Sequence, residues 1–95
     1  GYRDVTVKRL LAHVGGVPSD IEDELWNRLF RDRELSPRKS RELLVRATLA
    51  APPREKATEY AYSNAGYSIV GSALERMQQA SWEDLLRKEI FEPLA

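Results

Sequence analysis

The sequence contains no cysteine. That excludes disulfides, thiolate-bound zinc and a cysteine nucleophile, and leaves the cellular compartment undetermined. Histidine occurs once, at His13, with no local acid or thiol partner that would build a metal site or a catalytic triad around it. Its imidazole is expected to be structural, bonding free carbonyls near a helix C-terminus. Neither a metal nor a cofactor is expected. No apolar run approaches the roughly 18 residues needed to span a bilayer, and the N-terminus lacks the basic region and apolar stretch of an export signal. A dominant charge is missing as well: fifteen Lys and Arg balance fifteen Asp and Glu, so no global field draws in nucleic acid or an anionic membrane.

The 95 residues suit one small domain, and 42% apolar with 32% charged residues is the balance of a globular chain that folds. Residues 1 to 54 carry eleven basic and eight acidic groups, and 55 to 95 carry four and seven, a mild tilt of about +3 against −3. The run Arg38-Lys39-Ser40-Arg41 reads as a solvated helix face. No internal repeat or low-complexity tract is present. Gly15-Gly16 is not followed by the residues of a phosphate-binding loop.

The apolar periodicity predicts five helices and no strand of useful length, an all-α fold. Thr6 caps the first, in which Val7, Leu10, Leu11 and Val14 share a face, and Gly15-Gly16 ends it. Ser19 with Glu22 forms a capping box for the second. There Ile21, Leu25 and Leu29 make an apolar stripe flanked by Trp26 and Phe30, and the helix stops near Asp32. Ser36-Pro37 opens the third, with Arg38 and Lys39 opposing the helix dipole, Leu43, Leu44 and Ala47 facing inward, and Pro52-Pro53 as breaker. Residues 54 to 62 show no helical period; Thr58, Tyr60 and Tyr62, two apart, suggest an extended approach segment. The fourth helix reads as the most buried, with a stripe of Val70, Ala73, Leu74 and Met77 widened by Ile69, and with Gly66 and Gly71 permitting close approach. Ser81 with Asp84 starts the last helix, whose Trp82, Leu85, Leu86 and Ile90 face inward and which ends before Pro93. Trp26, Phe30 and Trp82 are expected to be core aromatics.

Chemistry concentrates at Tyr62-Ser63-Asn64, where the extended segment meets the buried helix. Either Ser63 or Asn64 can cap that helix. A phenol there could move protons, although a free phenol titrates near ~10 and needs a neighbouring cation to act as a base at neutral pH. The Asn64 amide offers an acceptor and a donor, suited to holding a substrate amide and a lysine together. The structural alternative is a cap with a packed tyrosine beside it.

Three ordered stretches carry a resemblance: Val5-Thr6-Val7-Lys8-Arg9-Leu10-Leu11-Ala12-His13, Tyr62-Ser63-Asn64-Ala65-Gly66-Tyr67-Ser68 and Ile90-Phe91-Glu92-Pro93-Leu94. Together they resemble the serine β-lactamase and penicillin-binding family, including class C β-lactamases, D-Ala-D-Ala peptidases and related esterases. The resemblance implies that residues 1–95 are the helical subdomain of a larger hydrolase domain, without its mixed sheet. It implies that Tyr62 and Asn64 form a Tyr-x-Asn motif, the tyrosine shuttling protons for a serine nucleophile and the asparagine contacting substrate and a catalytic lysine, with Ser63 as the variable middle residue. The Ser-x-x-Lys nucleophile is expected upstream of the His13 helix, outside this chain, and the Lys-Thr-Gly-type strand downstream of Leu94. The implied partner is the remainder of the hydrolase domain, with self-association of the isolated lobe, and the lobe alone is expected to be inactive. The alternative is a non-catalytic helical interaction module. The chain departs from the family in reading His13-Val14-Gly15-Gly16 where His-Thr-Ser-Gly is frequent, and Gln78-Gln79-Ala80 where a glycine is common.

Overall fold

The computed structural model describes residues 1–19 and 22–94. Among these residues there is no strand, and the all-α expectation holds. The helices are α1 (Val7–Leu11), α2 (Asp23–Arg31), α3 (Pro37–Ala50), α4 (Asn64–Gln78) and α5 (Trp82–Leu86), the last continued by a π turn (Arg87–Phe91) and a short α6 (Glu92–Leu94). Helix α4 is the hub, with α1, α3 and α5 packed against it. Helices α3 and α4 run antiparallel, since Arg38 and Arg41 near the start of α3 reach Glu75 near the end of α4.

Caps set most boundaries. Thr6, Ser36, Ser63 and Ser81 stand in extended backbone, and each side-chain oxygen accepts the N–H three residues on, from Arg9, Lys39, Gly66 and Asp84. Each satisfies a donor the first helical turn leaves free. Of the two capping candidates before α4, Ser63 is therefore the one used. Pro37 occupies the first turn of α3. At its other end Ala51 is held extended ahead of Pro52, as a residue before proline should be.

Several expectations are corrected. Helix α1 ends at Leu11, four residues before Gly15-Gly16, because His13 itself turns left-handed at φ 59°. Helix α2 begins at Asp23 with Glu22 as a cap that makes no side-chain bond, so no capping box forms with Ser19. The Ile21 part of its stripe lies outside the described residues. Trp26 is 54% and Phe30 80% exposed, since no other helix packs extensively on α2 among the described residues. On α3, Ala47 faces solvent and Thr48 is buried, its hydroxyl donating back to the Leu44 carbonyl at 2.8 Å. On α4 the buried side runs through Ala65, Gly66, Gly71, Ser72 and Glu75, while Met77 is 74% exposed; the seam against α3 and α1 is lined by small and polar groups. Gly66 does allow close approach, a Cβ there lying 3.5 Å from the Leu10 carbonyl, but nothing stands within 4 Å of one at Gly71. Residues 55–58 form turns in place of an extended run. The last helix passes through Pro93. The wider π turn lies just ahead of that ring, which in regular α geometry would press on the Glu89 carbonyl.

The protein measures 43 × 30 × 20 Å. Twenty ångströms is two helix diameters, and a radius of gyration of 14.2 Å exceeds the about 12.4 Å of a compact domain of this length. The result is a two-layer slab. Among the described residues its buried apolar side chains are few, Leu10, Val17, Leu44 and Ala65, and three of these lie beneath the junction of α1 with α4.

Candidate functional site

The backbone before α4 is anchored by buried groups. Ser63 is 1% exposed; its hydroxyl donates to the Pro18 carbonyl at 2.7 Å and accepts the Gly66 N–H at 3.2 Å. With the proton and a lone pair both engaged, this hydroxyl is a structural pin. The Ser63 N–H donates to Nδ1 of His13 at 3.0 Å, and the Ala61 N–H donates to the His13 carbonyl at 2.9 Å. Arg54 fastens the loop further: its Nε donates to the Val17 carbonyl and its guanidinium to the Glu59 carbonyl, each at 3.0 Å.

Between the pinned residues, Tyr62 points outward and is 59% exposed. Its hydroxyl donates to Oδ1 of Asn64 at 3.0 Å. The two side chains singled out in the sequence are thus brought together on the surface at the N-terminus of α4. The amide hydrogens of Asn64 have no side-chain or backbone acceptor among the described residues, which leaves that group a donor facing solvent. The expectation of a packed tyrosine is corrected in part: the Tyr62 ring rests on His13, with centroids 4.7 Å apart, and is otherwise open.

His13 is the residue whose role here the sequence reading missed. It was expected to donate to free carbonyls, and it accepts a backbone N–H instead. The ring also stacks on Tyr67 at 5.1 Å and meets Tyr60 edge-on at 5.7 Å, while the Tyr67 hydroxyl donates to the Leu11 carbonyl at 2.9 Å. His13 reaches this position because α1 ends around it. The N–H of His13 returns to Leu10 O and that of Val14 to Arg9 O, the pair of bonds that closes a helix on a left-handed residue, usually glycine. A non-glycine residue there costs about 1–2 kcal/mol. Gly16, also left-handed at φ 81°, brings its backbone against Ala57, and a Cβ there would lie 2.8 Å from the Ala57 Cβ. The available signal was the spacing of His13 to the Gly-Gly pair, which does not announce a contact with Ser63, 50 residues on.

The spacing Ser-x-x-Lys does occur once within the chain, at Ser36-Pro37-Arg38-Lys39, although the nucleophile of that motif is expected outside it. Its geometry is that of a helix cap: the Ser36 oxygen accepts the Lys39 backbone N–H at 3.1 Å, and the Lys39 ammonium faces Glu42 at 3.7 Å. The lysine is therefore directed at a carboxylate and not at the serine hydroxyl. Three acidic or histidine side chains do not converge on a common point anywhere among the described residues. No helix among them is long and apolar enough to cross a membrane.

Away from the tyrosine pair, an open groove of about 790 Å³ runs between α3 and α4, lined in part by Arg38, Arg46, Leu49, Ile69 and Arg76. Neither Tyr62 nor Asn64 borders it. At its end Glu75, 1% exposed, accepts two bonds from the Arg41 guanidinium at 3.0 and 3.1 Å and one from the Trp82 N–H at 2.9 Å. Arg41 also bridges to Glu83 at 2.8 Å. The Arg41 hydrogen bond, ahead of every other cause, holds the Glu75 and Glu83 carboxyls below the ordinary glutamate range. Arg38 donates to the Glu75 carbonyl at 3.3 Å, so the basic run on α3 is not wholly solvated. It sets positive charge at the C-terminus of α4, where the helix dipole favours it.

A family model described as Beta-lactamase matches residues 1–95. Penicillin-binding protein 4 of Amycolatopsis lactamdurans is 30% identical over 99 residues, covering 97% of this chain and 22% of that protein. The chain thus spans about a fifth of the length of the curated relative it matches. No solved structure matches the chain significantly. The family model spans every residue of the sequence, and the chain belongs to the Beta-lactamase family.

Proposed function

We propose that residues 1–95 are the helical subdomain of a serine hydrolase that cleaves β-lactams, peptidoglycan peptides or small esters through an acyl-enzyme, and that Tyr62 and Asn64 are its contribution to the active site. The supporting observation is the exposed Tyr62 hydroxyl bonded at 3.0 Å to Asn64 on a backbone pinned from below. A phenol so placed can pass a proton to or from a serine oxygen arriving from another element, and the outward amide of Asn64 can donate to a substrate carbonyl. A serine nucleophile, a lysine beside it and backbone N–H groups for the oxyanion would come from sequence outside these residues. Ser36 and Lys39 do not supply them, being occupied in the α3 cap.

The slab form fits this reading. Phe30, Met77 and Leu94 are 80%, 74% and 81% exposed, and apolar surface of this kind calls for cover by the rest of a domain. The isolated chain is expected to self-associate and to be catalytically inert. Sedimentation that shows a concentration-independent monomer would count against the first expectation. Tyr62-dependent hydrolysis of a chromogenic β-lactam by the purified chain would sink the second.

The exposed Trp26 and Phe30 on α2 favour a second reading, a non-catalytic helical interaction module. The two readings separate in the full-length protein carrying this chain. Tyr62→Phe should lower kcat for a chromogenic cephalosporin or a nitrophenyl ester by about 100-fold or more, the scale of positioned proton transfer, and Asn64→Ala should lower it as well. Wild-type protein inert toward both substrates would favour the module.

A further inference from the structure

Resting on the hydrolase reading above, we propose that His13 is the positioning residue of the Tyr62–Asn64 pair, and that it acts through a ring nitrogen accepting the Ser63 N–H. In extended backbone, side chains alternate in direction. His13 fastens residue 61 through its carbonyl at 2.9 Å and residue 63 through Nδ1 at 3.0 Å. With 61 and 63 both held to His13 and the Ser63 side chain buried against the Pro18 carbonyl, the alternation turns residue 62 outward, and the first turn of α4 starts with Asn64 beside it.

The ring adds a second constraint. It lies between Tyr62 at 4.7 Å and Tyr67 at 5.1 Å, and Tyr67 is itself tied to the Leu11 carbonyl. The row fixes the plane of the Tyr62 phenol from its inner side. Because Nδ1 accepts, the ring proton in this arrangement sits on Nε2. The left-handed backbone at His13, φ 59°, is what brings carbonyl and ring to the same segment, residues 61 to 63. A strained residue at the end of a five-residue helix is therefore accounted for by what its side chain holds, and not by the helix it closes.

Two substitutions separate acceptor from ring. His13→Phe keeps an aromatic ring and removes the acceptor. His13→Asn places an amide oxygen at the same distance from the backbone as Nδ1, tolerates left-handed backbone, and removes the ring. Both are made in the full-length protein carrying this chain, with Tyr62→Phe as reference. The readouts are kcat and KM on a chromogenic cephalosporin and a nitrophenyl ester, and amide hydrogen exchange of the peptide covering residues 61–64. His13→Phe should lower kcat by about 10- to 100-fold, the scale of an ångström-sized misplacement. KM should stay within about threefold, since a positioning loss of this kind falls on the chemical step, and exchange at 61–64 should speed up. His13→Asn should hold kcat within about threefold of wild type, well inside that misplacement scale, and keep the slow exchange.

Unchanged kcat and exchange in His13→Phe, while Tyr62→Phe is impaired, would overturn the proposal and leave the hydrolase reading standing. An equal fall in His13→Asn would overturn the acceptor role. Wild-type protein inert toward both substrates would remove the hydrolase reading and this proposal with it, whereas full activity in Tyr62→Phe would leave a hydrolase but remove the role of Tyr62 and with it this proposal. Should His13→Phe fail to fold, as judged by circular dichroism, His13→Asn decides: retained kcat supports the proposal and a loss beyond about tenfold rejects it.

Discussion

At the N-terminal end of α4 the buried polar groups bind backbone, and the side chains with chemical potential are left outside. Ser63 and His13 hold the chain between them, and Tyr62 and Asn64 stand exposed above. At the C-terminal end the charged side chains bind each other: Glu75 is closed in by Arg41 and the Trp82 N–H, with Glu83 completing the cluster. Both ends carry a non-glycine left-handed residue nearby, His13 at φ 59° and Gln79 at φ 51°. The first uses its ring to hold the approach to α4, whereas the exposed Gln79 makes no side-chain hydrogen bond among the described residues. One end is arranged to present groups and the other to lock helices together.

The contrast can be broken most severely at the lock. Glu75→Ala should destabilise the protein by about 3 kcal/mol, the lower part of the range for unpairing a buried ion pair, because the Arg41 side chain keeps 21% exposure. Urea unfolding would measure it, and a change below about 1 kcal/mol would show that the cluster is no more than a surface bridge. Ser63→Ala removes the cap and a second buried bond at the presenting end, and should cost about 1–2 kcal/mol by the same measurement.

Acid should weaken the lock. Glu75 and Glu83 are held below the ordinary glutamate range by Arg41, so the folded state binds fewer protons than the unfolded chain in acid. Their contribution is present above about pH 4.3, the ordinary glutamate value, and is lost as pH falls through the lowered values. Unfolding midpoints recorded from pH 6 to 3 should fall in wild type and fall less steeply in Glu75→Gln. Parallel curves would assign the acid sensitivity to other carboxylates.

The smallest effect is expected at the idle left-handed residue. Gln79→Gly should raise stability by about 0.5–1 kcal/mol, because glycine takes this conformation without steric cost. A loss on that substitution would mean that the Gln79 side chain has work of its own.

Most of the helical order was legible locally. A cap such as Ser36 with Pro37 after it, or Ser81 with Asp84, is decided within a few residues, and each starts a helix in the structure. The failures came where distant chain decides. Trp26 and Phe30 carry a helical stripe yet find no packed partner among the described residues, and no local pattern states whether one is present. Ala47 and Met77 fit the apolar period, but the residues buried on α3 and α4 include the polar Thr48, Ser72 and Glu75. The Tyr62–Asn64 pair was legible as residues and as a junction. Its support was not, since His13, Pro18 and Ser63 meet across 45 to 50 residues.

The sequence by itself determined where most helices start and that, among the described residues, helices are the only regular elements, because capping, proline and periodicity are short-range effects. Only the tertiary structure decided that the lone histidine would turn left-handed and accept an N–H from the motif, and that one glutamate would be the deepest charged group. Those outcomes depend on which groups meet when α1 and α3 fold onto α4, and no residue carries that information alone.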